Sequence, residues 1–198
     1  MKSFKLYLVA LVAIFANNAF AGGIGGITTG FPGHVFPTQV VNWQVGDQSD
    51  YTLDIDGMKG SLHKEVTKNE TPTQVWLEET VSIPNLGQNQ TEDALIDRNT
   101  GKLLKLLVNG QEQQLPNEDV TVISHDQETI TVPAGTFQVV HLVAKDGSNN
   151  QIEIYANPQL IVIDGAAKEI QGTQYGPLTL ELVGQQKAGS DYKRFVQY

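Results

Sequence analysis

The chain has no cysteine among its 198 residues. That excludes disulfides, thiolate metal sites, a thiol nucleophile and a lipid-anchoring cysteine. Helical periodicity is equally scarce: no apolar spacing of about 3.6 persists over the ten or so residues a stable helix needs, and only Ala166 to Gln171 reads as one helical turn. Cations are few, with 13 Lys and Arg against 22 Asp and Glu and a formal net charge of −9. An acidic balance of that size argues against nucleic acid and anionic membrane surfaces as partners. Beyond the first residues no apolar run approaches the roughly 20 residues of a membrane helix.

What is present begins with an export signal. Lys2 and Lys5 form a positive region, Leu6 to Phe15 an apolar one, and Ala19-Phe20-Ala21 an A-x-A site, which predicts cleavage after Ala21 and a periplasmic or secreted, not membrane-spanning, product. Residues 22–38 follow as a glycine-rich leader whose composition reads as flexible. A single β domain is expected over 39–184 and a C-terminal tail over 185–198.

Within that domain the pattern is one of short strands and tight turns. Tyr51, Leu53 and Ile55 alternate with Thr52, Asp54 and Asp56, and Asp56-Gly57 is a two-residue hairpin signal. Asn99-Thr100-Gly101 and Asn109-Gly110 predict two more hairpins flanking Lys102 to Val108. Val132-Pro133-Ala134-Gly135 joins Glu128–Val132 to a run from Phe137 to Ala144 that is apolar on both faces and reads as a central strand. Leu160 to Ile163 is a further apolar run, and Leu178, Leu180 and Leu182 alternate in the last strand. The sum is an all-β antiparallel meander of about ten strands, forming a barrel, half-barrel or sandwich.

The Val132-Pro-Ala-Gly-Thr-Phe137 segment, the Gly46-Asp47 and Tyr51 opening, and the closing Tyr155, Pro158 and Leu178 to Leu182 resemble a group of uncharacterised exported bacterial β-sheet proteins. That group is similar in architecture to the LolA/LolB lipoprotein carriers, whose curved antiparallel sheet holds acyl chains. The resemblance implies a fold and an extracytoplasmic address, with no catalytic residues to carry over. This chain departs from the carriers in having no helical segment to close the open face.

Site signals are sparse. Asp54, Asp56 and Glu65 have the outline of a calcium loop, but the loop glycine falls early, where a hairpin wants it. His34, His63, His125 and His141 show no ligand spacing; His63 should point outward beside Glu65, and His141 shares a face with Phe137 and Val139 as a core histidine. The adjacent acids Glu78-Glu79, Glu92-Asp93 and Glu118-Asp119 alternate across a strand and so do not work as acid and base on one substrate. Glu79 lies on the apolar face set by Val75, Leu77, Val81 and Ile83, where burial would raise its pKa unless a rim, a bulge or a lysine accommodates it. There is no G-x-S-x-G elbow and no phosphate-cradling loop.

These signals point away from an enzyme and imply no cofactor and no metal. The expectation is an exported binding module holding an apolar ligand, a lipid or acyl chain, or a partner segment against the inner sheet face. Leu104, Leu106, Phe137, Val139 and His141 would line that face, with Trp43 and Trp76 as contact aromatics. The alternative is a structural or interaction protein of the cell envelope, with a fully packed core and no small-molecule ligand.

Overall fold

The computed structural model describes residues 41–84, 88–101, 103–115, 121–145, 150–173, 176–190 and 193–194. The expected signal and leader, and residues 191–192 and 195–198 of the tail, lie outside the described residues. An N-terminal meander comprises β1 (Gln48–Ile55), β2 (Met58–Thr71), β3 (Gln74–Ile83), β4 (Gln88–Asp97), β5 (Leu103–Val108) and β6 (Gln111–Glu112). A second comprises β7 (Thr121–Val132), β8 (Gly135–Lys145), β9 (Gln151–Ala156), β10 (Ala166–Thr173) and β11 (Gly176–Gln186), with β12 (Lys193–Arg194) added beside β11. Pairing of β1 with β11 fuses both into one antiparallel sheet, ordered β6-β5-β4-β3-β2-β1-β11-β10-β9-β8-β7. Its two end strands do not pair with each other, so the all-β sheet is open.

Turn chemistry sets the registers. Asp56 and Gly57 have φ of 49° and 87°, Asn109 and Gly110 50° and 76°, the paired positive values of two-residue hairpin turns. Ile55 thereby faces Met58, and Val108 faces Gln111. Strict alternation then decides which side is interior. In β3 every second residue from Val75 to Ile83 is buried, and β11 buries Leu178, Leu180 and Leu182. Each such Leu or Ile withdrawn from water contributes about 1.5–3 kcal/mol.

The buried side chains form two clusters. One joins Tyr51, Leu53 and Ile55 to Leu178–Leu182 and the β7–β8 hairpin; the other joins Val66, Val75, Leu77, Ala94, Ile96 and Leu106. The segment 157–165, between β9 and β10, bridges them, with Ile161 in the first cluster and Ile163 in the second. Leu160 to Ile163 is therefore not a strand. It is a plug whose Ile161 and Ile163 lie in the interior while Leu160 stays exposed, its backbone folded locally by bonds from the Leu160 and Ile161 N–H groups to Asn157 O.

Two other expectations are corrected by the pairing. Ala166 to Gln171 is not a helical turn: it pairs with β9 and β11, and a bulge at Ala166/Lys168 lets Glu169 and Gln171 face inward opposite Ile154 and Ile152. The strand after Pro133-Ala134-Gly135 is not central but next to the sheet end. Its pairing with β9 stops at Val140, and beyond that point the hairpin tip docks on β11, where the Ala134 N–H donates to Leu182 O at 2.9 Å. The apolar run is explained by a change of buried face. Ala144 is buried where β9 lies alongside, and Phe137 and Val139 are buried where the tip is docked.

Candidate functional site: a buried lysine and carboxylate cluster

In β2 the residues Leu62, Lys64 and Val66 all point inward, so strand alternation carries a lysine into the core. Register places Lys64 opposite Glu79 on β3 and opposite Ser49 on β1, while Glu79 in turn faces Glu92 on β4. The result is a polar row, Glu92, Glu79, Lys64 and Ser49, crossing the interior face of four strands. Glu169 on β10 and Asp164 at the end of the plug complete the cluster. Lys64 has no exposed surface.

Its ammonium lies 2.5 Å from Asp164 Oδ2 and 3.4 Å from Glu79 Oε1, with the Tyr51 ring centroid 5.3 Å away. Asp164 Oδ1 accepts bonds from the Ala166 N–H at 3.1 Å and the Tyr51 hydroxyl at 3.4 Å, and that hydroxyl also reaches Ala166 O at 3.1 Å. Asp164 sits at φ 51° and is followed by Gly165 at 78°. A Cβ on Gly165 would meet Pro158 Cα at 2.8 Å, so only glycine permits the plug to turn back on itself here. Asn157 and Gln185 hold the rest of the plug. Asn157 Nδ2 donates to Gln138 O and its Oδ1 accepts from the Gln159 and Leu160 N–H groups, while Gln185 bonds Val162 N–H and Leu160 O.

The electrostatics follow from excess acid in a dry interior. Burial pushes the carboxyls of Glu79 and Glu169 up, with Lys64 opposing it. Glu92 is pushed to about 8, by burial first and then by Glu79 beside it. Burial alone would lower Lys64, but Asp164, Glu79 and Glu169 outweigh it and hold the ammonium well above its ordinary range. Both Glu169 oxygens and Glu92 Oε2 make no hydrogen bond among the described residues. Among those residues no group of three or more His, Asp or Glu is placed to hold a metal ion.

The residues expected to line an apolar inner face scatter. Leu106, Phe137 and Val139 are buried in the core clusters at 0%, 9% and 1% exposure. Leu104 is turned outward at 40%, because the ladder slips there: Leu95 faces Lys105 and Ile96 faces Leu103, leaving Leu104 as the extra residue of a bulge. His141 is not a core histidine. It stacks on Tyr155 at 4.2 Å and 5°, its Nε2 lies 3.2 Å from Glu153, and its Nδ1 lies 3.4 Å from Asp126 and 3.8 Å from Glu128, on the face away from Ile152 and Ile154. Trp43 packs partly buried against the second cluster, and Trp76 lies on the outer face of β3, its Nε1–H donating to Glu70 Oε2 at 2.8 Å. His63 points outward as expected, 2.7 Å from Asp50 and 3.7 Å from Glu65. Of the acids singled out from sequence, Glu79 and Glu92 lie in the cluster. Lys64 was missed, though the alternation that places Glu79 inward applies equally to it.

The fold and its buried site thus define a class: an open, antiparallel all-β sheet plugged by its own loop. By sequence the chain matches no family profile and no curated protein. Among solved structures it is similar to the hypothetical protein CT021 from Chlamydia trachomatis, at 13% identity and TM-score 0.48, covering 79% of this chain and 95% of that one. It is also similar to a protein with a YmcC-like fold from Bacteroides fragilis, at 12% identity and TM-score 0.41, covering 74% and 98%. A third neighbour is MucB, at 10% identity and TM-score 0.39, covering 78% of this chain and 57% of that one.

Proposed function

We propose that the protein is a non-enzymatic, exported interaction module whose ligand is a protein segment and not a small apolar molecule. The export signal read at residues 1–21 supports the address. The observation that carries the rest is the plug. Ile161 and Ile163 occupy the interior where a lipid chain would lie, and Leu106 and Val139 are already covered by protein. Binding work then falls to the periphery.

The strand with most to offer a partner is β7, which ends the sheet's pairing order and is exposed from Thr121 to Gln127, with Val122 and Ile123 at 51% and 52%. An edge of this kind takes an added strand through its backbone groups. Asp126 and Glu128 beside it favour an extended segment carrying basic side chains. A photoreactive residue at Ile123 should give one dominant adduct with an envelope protein in cells, and native mass spectrometry of protein released from the periplasm should give an apo mass. A co-purifying lipid, displaced only on unfolding, would overturn this reading in favour of an apolar-ligand carrier.

A further inference from the structure

The geometry points to a covalent role for the buried pair: Lys64 Nζ and Asp164 Cγ are joined, after folding, by an intramolecular amide bond, with Glu79 as the proton relay. Three observations meet at this point. The nucleophile and the carboxyl are in contact, Nζ lying 2.5 Å from Oδ2, with both side chains nearly or wholly buried. A second carboxyl, Glu79 Oε1, lies 3.4 Å from the same nitrogen. Asp164 Oδ1, the oxygen that gains charge when the carbonyl is attacked, accepts from the Ala166 N–H and, at 3.4 Å, from the Tyr51 hydroxyl, which shares its proton with Ala166 O.

The chemistry balances without an oxidant or a cofactor. The carboxylates around Lys64 favour its charged form, so the condensation runs through the neutral pair reached when the ammonium passes a proton to Asp164 Oδ2, and is slow for that reason. The nitrogen lone pair attacks Cγ, and the carbonyl electrons move onto Oδ1 between its two donors. Glu79, whose Oε1 lies 3.4 Å from Nζ, takes the proton released from nitrogen and passes it on to the departing Oδ2. The Cγ–Oδ2 bond breaks, water leaves, the amide carbonyl re-forms, and Glu79 ends as it began. Fixed contact supplies the effective concentration that makes such a condensation feasible, and exclusion of water disfavours its reversal. In a chain without cysteine this is a route to a covalent tie between the plug and β2.

The test is the denatured intact mass of the full chain recovered after export and folding. Proteolysis should yield a branched peptide joining the Lys64 and Asp164 segments, and the protein should be lighter than its sequence mass by one water. The Lys64→Arg variant should carry its full sequence mass. Glu79→Gln, verified as folded by circular dichroism, should form the link about a hundredfold more slowly. A wild-type protein of full mass would overturn the proposal. So would a one-water loss confined to a single peptide spanning Asp164-Gly165, which is a succinimide and not a cross-link, or a loss that persists in Lys64→Arg. An unchanged rate in Glu79→Gln would remove Glu79 as the relay.

Discussion

Glu92→Gln separates the electrostatics of the buried row from its packing. Glu92 has an ordinary value of 4.5 in the unfolded chain and about 8 in the fold, raised by burial first and by Glu79 opposite it. Between those values the folded state retains a proton that the unfolded state has released, so the folded state binds more protons and stability falls as pH rises. At 1.36 kcal/mol per pH unit the loss accumulates to about 5 kcal/mol by pH 8 and then levels off, because above that both states are ionised. Glutamine has the same shape and does not titrate. It keeps the bond from Gln90 Nε2 that Glu92 Oε1 now accepts at 2.5 Å, and it places an NH2 where Oε2 has no partner among the described residues, a pH-independent cost of about 1–3 kcal/mol. The variant should therefore be slightly less stable than wild type near pH 5 and several kcal/mol more stable near pH 8. Urea midpoints measured at intervals from about pH 5 to 9 read this directly. Glu169, also raised, steepens both profiles alike and cancels in the difference, whereas the Glu79–Glu92 repulsion is lost only in the variant and adds to it. A difference that stays constant across the range would refute the assignment of a protonated, buried Glu92.

Other perturbations test the architecture. Leu106→Ala should cost about 2–5 kcal/mol and Leu104→Ala close to nothing in chemical denaturation, since one is buried and the other is thrown outward by the β5 bulge; equal costs would place both on one face. Gly165→Ala should lower stability by at least roughly 1–2 kcal/mol from the left-handed backbone alone, with the clash against Pro158 in addition, and hydrogen exchange should show the loss concentrated in residues 157–165. His63 is raised by its bond to Asp50 and then by Glu65. That half-exposed contribution should be fully present below His63's ordinary value of 6.5 and fade as pH rises through the raised one, and Asp50→Asn should remove most of the effect, leaving the part due to Glu65, in a histidine titration followed by NMR.

The parts of this fold legible in sequence are those decided locally. Asp56-Gly57 and Asn109-Gly110 specify their turns because positive φ at two successive residues admits few other dipeptides, and alternation through Val75–Ile83 marks the interior of β3 unaided. What could not be read depends on partners distant in the chain. The run around Leu104 is apolar at both parities, so nothing local says which residue the ladder with β4 will expel. Leu160 to Ile163 has the composition of a strand, and its role as a plug is set by Asn157, Gln185 and the space between two core clusters. Asp164 offers no local sign that it meets Lys64, a hundred residues away in the chain.

The plug and the lysine explain each other. The two meanders, paired through β1 and β11, leave two separate core clusters to be joined, and no helix among the described residues covers them. Apolar residues at 161 and 163 fill the gap, but apolar contact alone is non-directional and would let the loop slide between clusters. Lys64 removes that freedom, since its one close carboxylate from outside the sheet is Asp164, and an unpaired buried cation would cost more than any alternative seating of the loop gains. Before any condensation, the four raised or paired carboxyls around it let an acidic chain tolerate one buried cation. Burial raises Glu79, Glu92 and Glu169, and the closest carboxylate to the lysine is the one the plug brings, Asp164 at 2.5 Å against 3.4 Å for Glu79.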